Sequence, residues 1–251
     1  MNPFDLTGRL AVVTGAKRGI GFAVAEALAA AGADIVGVSA TLDPATSAIG
    51  ERVRELGRDF SGHRVDFADR AQVIDFAEAL EGRQVDILVN NAGTIRRAPA
   101  AEHPLDWFDE VLEVDLTSAF VLSQILGRRM LQAEYGRIVF TASLLSFQGG
   151  INVPGYAAAK SGAAGLVRAL SNEWAGRGVT VNGIAPGYIA TDNTEALRDD
   201  PDRSRAILER IPAGRWGTAA DIAGAAVYLA SDAARYVTGT ILPVDGGWLA
   251  R

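Results

Sequence analysis

The sequence predicts one α/β domain over residues 1–251, a doubly wound parallel sheet with helices on both faces. Three observations carry this. Short β-branched apolar runs alternate with helical patterns along the whole chain. The connections are short, and no repeat, low-complexity tract or linker divides them. A glycine-rich turn, Thr14-Gly15-Ala16-Lys17-Arg18-Gly19-Ile20-Gly21, separates the first apolar run from the first helical pattern.

In order, Arg9 to Thr14 reads as a strand and Gly19 to Ala31 as an alanine-rich helix. Asp34 to Val38 is the next strand, followed by a helix over Ala45 to Leu56. His63 to Val65 is a weaker strand, Arg70 to Leu80 a helix, and Val85 to Val89 a strand of strong β propensity. A long helical region covers Asp106 to Tyr135. Ile138 to Ser143 is a buried strand, and the alanine-rich segment from Tyr156 is helical. Val179 to Ile184 is a strand, Glu195 to Arg210 a charged helical excursion, Ala219 to Ala230 a helix, and Thr240 to Val244 the last strand.

Composition excludes several functions. The chain has 251 residues, 49% of them hydrophobic, and a formal charge of -6, which argues against nucleic acid or an anionic membrane surface as the main partner. It has no cysteine and only two histidines, His63 and His103, so thiolate metal sites and histidine-dependent triads are disfavoured. The N-terminus lacks a signal-peptide pattern and no apolar run reaches membrane-spanning length. A cytoplasmic location is expected.

In doubly wound sheets ligands bind beyond the carboxyl ends of the strands. After the first strand, Gly15, Gly19 and Gly21 let backbone approach a pyrophosphate, and the helix that opens at Gly19-Ile20 offers N–H donors. Ser39 and Ala40 end the second strand. Asp66 and Phe67 follow the third, where Asp66 is placed either to bond an adenine amino group or to cap the next helix. Asn91, Ala92 and Gly93 follow the fourth, Thr141 ends the fifth, and Pro186, Gly187, Ile189 and Thr191 follow the sixth.

Tyr156 and Lys160 stand at i and i+4, stacked on one helix face. An ordinary phenol ionises near pH 10, about three units above neutrality, and a fixed cation beside it favours the phenolate. Ser143, at the mouth of the preceding strand, is placed to hold a carbonyl or alcohol oxygen against that phenol. Taken alone, the pair is better read as a half-buried tyrosine with a snorkelling lysine, and what surrounds it decides the matter.

The segments TGAKRGIG, NNAG, Ser143 with Tyr156-xxx-Lys160, and PGYIAT together resemble the short-chain dehydrogenase/reductase family over essentially the whole chain. The resemblance implies a Rossmann-type fold and makes Tyr156 the general acid/base. It makes Lys160 the residue that eases ionisation of the phenol and binds the nicotinamide ribose, and Ser143 the one that orients the substrate oxygen. It also implies assembly through the long helices flanking the site and the C-terminal strand, so a homotetramer is expected. At the family's fourth catalytic position, usually Asn, this chain has Asp115. A carboxylate cannot donate as an amide does, so any proton relay there is rearranged, with Asp115 still functional.

The acidic residue that selects NAD at the end of the second strand is missing, since Ser39 stands there. Arg18, with Lys17, is placed to reach a 2′-phosphate, which leans the reading to NADP(H), with NAD(H) the alternative. For substrate, the adjacent Arg96 and Arg97 invite a carboxylate or form a surface pair with acids such as Glu102. Gln148 and Asn152 offer amides suited to a polyhydroxylated ligand, and Asn193 opens an excursion over about 190–215 that reads as a substrate lid. NNAGTIRR, LLSFQGGINVPGYAAAKSG, APGYIATDNT, RIPAGRWG and VDGGWLAR narrow the resemblance to the sugar-acid branch of the family, the gluconate 5-dehydrogenases and 2-dehydro-3-deoxy-D-gluconate 5-dehydrogenases. It implies oxidation of a secondary alcohol on a C6 sugar acid. The alternatives are a 3-oxoacyl carrier-protein reductase, another polyol dehydrogenase, or an inactive dinucleotide-binding scaffold.

Overall fold

The computed structural model describes residues 2–251; the side chain of Asn193, one of the expected substrate contacts, lies outside the described residues. The strands are β1 (Leu10–Thr14), β2 (Asp34–Ser39), β3 (Phe60–Arg64), β4 (Ile87–Asn90), β5 (Gly136–Thr141), β6 (Val179–Pro186) and β7 (Ile241–Val244). They form one parallel sheet in the order β3-β2-β1-β4-β5-β6-β7. The chain builds outward from β1 to β3, then crosses over to place β4 on the other side of β1. That reversal opens a crevice at the carboxyl ends of β1 and β4, where doubly wound sheets take their ligands.

The helices are α1 (Gly19–Ala30), α2 (Ala48–Glu55), α3 (Arg70–Ala79), α4 (Leu105–Leu112), α5 (Ser118–Gln132), α6 (Pro154–Trp174), α7 (Glu195–Arg198), α8 (Pro201–Arg210) and α9 (Ala219–Ala230). Strand residues alternate between two cores because successive side chains leave opposite faces of a pleated sheet. Val12, Leu88, Ile138 and Phe140 pack with Leu122 and Leu126 of α5 and Val167 of α6. Ala11, Val13, Ile87 and Val139 pack with Leu28 of α1 and Ile222 and Leu229 of α9. Burial on both faces explains why these strands read as unbroken apolar runs.

Three elements differ from their sequence patterns. β3 begins at Phe60, earlier than expected, because its residues FSGHR lie at the sheet edge, half-buried and paired on one side only. The charged excursion divides where Pro201 opens α8: Asp200 caps that helix, its Oδ1 accepting from the N–H groups of Asp202 and Arg203, both at 3.1 Å. The long helical region is interrupted by a π-helical turn, Glu113–Thr117, between α4 and α5. That turn carries Asp115 into the interior.

Candidate active site

The crevice is walled first by backbone. Gly15 has φ +69° and Gly19 φ +58°, a region that favours glycine. A Cβ on Gly15 would lie 2.8 Å from Asn91 Nδ2, and one on Gly21 would overlap the Gly15 carbonyl oxygen. The strand ends are stitched together beneath them. Thr14 Oγ1 accepts from the N–H groups of Asn91 and Ala92, both at 2.8 Å. Asn91 Nδ2 donates to the Thr14 carbonyl at 3.0 Å, and its Oδ1 accepts from Thr141 Oγ1 at 3.2 Å. Asn91 therefore ties β1, β4 and β5 into one rim, a role its place in a strand-end motif did not disclose.

The polar centre lies deeper. Lys160, 4% exposed, sends Nζ to the Thr141 carbonyl at 3.0 Å and stands 3.1 Å from Asp115 Oδ2. Asp115 is 3% exposed, its Oδ1 accepts from the Thr94 N–H at 2.7 Å, and its Oδ2 meets the ammonium as an ion pair without a well-aligned hydrogen bond. The carboxylate packs under Gly93, where a Cβ would sit 2.9 Å from Oδ2. Burial pushes the Asp115 carboxyl up from its ordinary value, against the pull of Lys160 and the Thr94 N–H. Burial also opposes the Lys160 charge, but Asp115, then Tyr156, outweigh it and hold the ammonium above its ordinary value. Lys160 Nζ lies 5.3 Å from the Tyr156 ring centre, as the i, i+4 spacing predicts. Ser143 opens a short turn, its Oγ accepting from the Leu145 N–H at 3.2 Å, which leaves the hydroxyl proton to donate. Ser146 Oγ donates to the Lys160 carbonyl at 2.7 Å and so joins this turn to α6.

A cleft of about 520 Å³ runs from the glycine turn to this centre. Every residue expected to hold cofactor lines it, and so do Ser143, Tyr156, Lys160 and Asp115. The expected substrate residues are placed differently. Among the described residues, Arg96, Arg97, Gln148 and Asn152 are not part of its wall. Arg96 is held by Glu110 rather than by Glu102, Nε to Oε2 and Nη2 to Oε1, each at 2.8 Å. Asn152 has φ +62°, and its carbonyl accepts from the Ala98 N–H at 3.0 Å. The cleft instead adds Thr41, Thr94, Glu110 and Asp192. Lys17 Nζ bonds the Thr41 carbonyl at 2.9 Å and its Oγ1 at 3.1 Å, while Arg18 Nη1 meets Asp192 Oδ2 at 2.7 Å. Asp66 does not cap α3, a task Asp69 performs; its Oδ1 accepts from the Ala68 N–H at 3.0 Å.

A family model described as enoyl-(acyl carrier protein) reductase matches residues 15–249. A 2-dehydro-3-deoxy-D-gluconate 5-dehydrogenase of Pseudoalteromonas atlantica is 58% identical, with both chains covered completely. One of Bacillus subtilis is 52% identical over 99% of this chain and 97% of its own. The chain belongs to the short-chain dehydrogenase/reductase family. Among solved structures of that family, a gluconate 5-dehydrogenase of Burkholderia cenocepacia in complex with NADP and tartrate superposes with a TM-score of 0.94 at 37% identity, covering 100% of this chain and 98% of that one.

The family's dinucleotide fits the residues present. The glycine turn is a surface that side chains would fill, the α1 N-terminus faces the cleft, and Lys17 and Arg18 supply positive charge beside Ser39 and Ala40. Among the expected catalytic residues the chain differs from the usual family pattern at one place, the buried carboxylate of Asp115.

Proposed function

We propose that this chain is an NADP(H)-dependent dehydrogenase, with NAD(H) the alternative cofactor, that interconverts a secondary alcohol and a ketone on a C6 sugar acid. The reading is of the gluconate 5-dehydrogenase or 2-dehydro-3-deoxy-D-gluconate 5-dehydrogenase type. The observation that carries it is the buried Lys160 ammonium beside the Tyr156 ring at the floor of a cleft whose rim fits a dinucleotide. The sugar-acid assignment draws its support from the relatives.

The nicotinamide, when bound, supplies the hydride acceptor or donor. The protein's own residues manage the proton and the geometry. Ser143 Oγ–H donates to the substrate oxygen and holds it against the Tyr156 phenol. In oxidation the phenolate takes the hydroxyl proton; in reduction the phenol returns it. Lys160, fixed by the Thr141 carbonyl and Asp115, lowers the cost of the phenolate, the general acid–base task worth about 10²–10⁴ in rate. The segment over 190–215 closes over the substrate, and the subunits assemble as a homotetramer, to which the apolar Leu105 and Ile151, 80% and 90% exposed, offer contact surface.

The test is a panel of aldonates and ketoaldonates with both cofactors. Turnover of gluconate-type acids, lost by at least about 10²-fold in Tyr156→Phe with cofactor binding retained, is the expected result. Turnover of acetoacetyl thioesters with none on aldonates would move the assignment to a carrier-protein reductase. Cofactor binding with no Tyr156-dependent turnover would leave only a scaffold.

A further inference from the structure

The cation beside the Tyr156 ring is not alone. Lys160 Nζ has Asp115 Oδ2 at 3.1 Å on one side and the neutral Thr141 carbonyl at 3.0 Å on another. Both members of the pair are almost fully buried, so solvent does little to screen either charge from the phenol. We propose that Asp115 is a positioning residue that offsets part of the charge of Lys160, so that the Tyr156 phenol faces an ion pair instead of an isolated cation. This rests on the reading of Tyr156 as the acid/base and deepens it by assigning what sets the pH range of that step.

Two contacts hold the carboxylate in place and favour its ionised form against the burial that opposes it. Oδ1 is anchored by the Thr94 N–H at 2.7 Å, a donor that favours the charged form, and Oδ2 faces the ammonium. The π-helical turn Glu113–Thr117 carries the carboxylate to this depth, and Gly93 above it leaves the space. Removing one partner of a buried pair leaves the other uncompensated, which makes Asp115 a charge device as well as a packing element.

Glu113 beside Asp115, and the other charged groups that line the cleft, are engaged elsewhere. On the π turn Glu113 pairs with Arg70, and on α4 Glu110 pairs with Arg96. On the glycine turn Lys17 is bonded to Thr41 and Arg18 to Asp192, which stands in the segment that follows β6. After β3, Asp66 accepts from the Ala68 N–H. Among the described residues, Asp115 is the one carboxylate paired with the Lys160 ammonium.

The sign follows directly. A negative charge near the phenol disfavours the phenolate, so Asp115 moves proton release by Tyr156 to higher pH than Lys160 alone would set. Asp115→Asn keeps the shape, removes the charge, and leaves the buried cation uncompensated. The deciding measurement is an ultraviolet difference titration of the cofactor-free full chain. It compares wild type with Asp115→Asn, each corrected by its own Tyr156→Phe counterpart. The Tyr156 step in Asp115→Asn is expected about one pH unit or more below that of wild type, and the rising limb of kcat/KM for alcohol oxidation moves in the same direction. Asp115→Ala, also neutral, gives the same direction should the amide variant fold poorly by circular dichroism. A Tyr156 step at the same pH as wild type, or higher, overturns the proposal, because it means that Asp115 carries no charge, does not act on the phenol, or serves instead to keep the buried Lys160 charged. Since the titration needs no substrate, a shifted step in a protein that turns over no sugar acid leaves this inference standing and removes only the substrate assignment.

Discussion

Arg96 grips Glu110 with both arms of its guanidinium, two parallel hydrogen bonds of 2.8 Å, and Glu110 forms part of the cleft wall. The arginine that invited a substrate carboxylate is thus committed to a carboxylate of the protein, and its guanidinium also lies 5.5 Å from the Trp107 ring centre. Its work in this geometry is to neutralise and hold Glu110 beside the substrate space. Arg96→Ala therefore exposes an anionic substrate to an unpaired Glu110. KM for the sugar acid is expected to rise by about fivefold, the scale of a partly exposed ion pair, with kcat little changed. Glu110→Ala is expected to leave KM level or lower it. Steady-state kinetics of both variants decides: an equal rise in both would put Arg96 in direct contact with substrate instead.

How much of this was legible in the sequence depends on whether the information is local. Tyr156 and Lys160 were visible because helical spacing alone brings residues i and i+4 together, and the glycine turn because positive φ and close backbone approach demand glycine. Strand-end positions were visible because alternating β and α patterns place them at one edge of a parallel sheet. The partner of Arg96 was not, since it stands on α4, whose placement over the Arg96 loop is a tertiary matter. The π turn left no mark either: Glu113 to Thr117 contains no Gly or Pro to signal a break. Asn152 carries a second reading that the sequence did not show. An amide between Ser143 and Tyr156 reads as a substrate contact, and its φ of +62° also makes it a turn residue, a conformation that Asn tolerates better than most.

Arg18 and Asp192 join the glycine turn to the segment that follows β6 through an ion pair of 2.7 Å, with side chains 74% and 66% exposed. A pair so exposed is worth less than about 1 kcal/mol, so Arg18 can exchange Asp192 for a 2′-phosphate at little cost. Lys17 is already drawn toward the end of β2 by Thr41. Arg18→Ala and Lys17→Ala are each expected to reduce kcat/KM for NADPH by about tenfold relative to NADH, the scale of one charge-assisted hydrogen bond. Asp192→Ala is expected to improve NADPH use by up to about threefold, since it frees Arg18. Equal losses with both cofactors would mean that the two basic residues contact the pyrophosphate shared by both, and the lean to NADP(H) would then lose its basis.

The start of α9 carries a separate, pH-dependent contribution. Asp221 Oδ2 accepts from the Thr218 N–H at 2.7 Å and from Thr218 Oγ1 at 2.9 Å, and both its oxygens take Arg215 at 2.8 Å. The Arg215 guanidinium and then the Thr218 donors hold its carboxyl well below the usual carboxylate range. Because the folded state favours the ionised form, the contribution is fully present above the unfolded value of about 4 and is lost as pH falls below it. The side chain is about one-third exposed, so solvent screening keeps the effect to that of an ordinary helix cap. At pH 7, Asp221→Ala is expected to cost about 1 kcal/mol, a fall of about 2–4 °C in Tm for a chain of this size. Asp221→Asn still accepts from Thr218 and is expected to lose less. Thermal unfolding of the three proteins from pH 7 down to pH 3 should show the gap between wild type and Asp221→Ala closing below pH 4, and a gap of constant size across that range would mean that the aspartate acts through packing rather than charge.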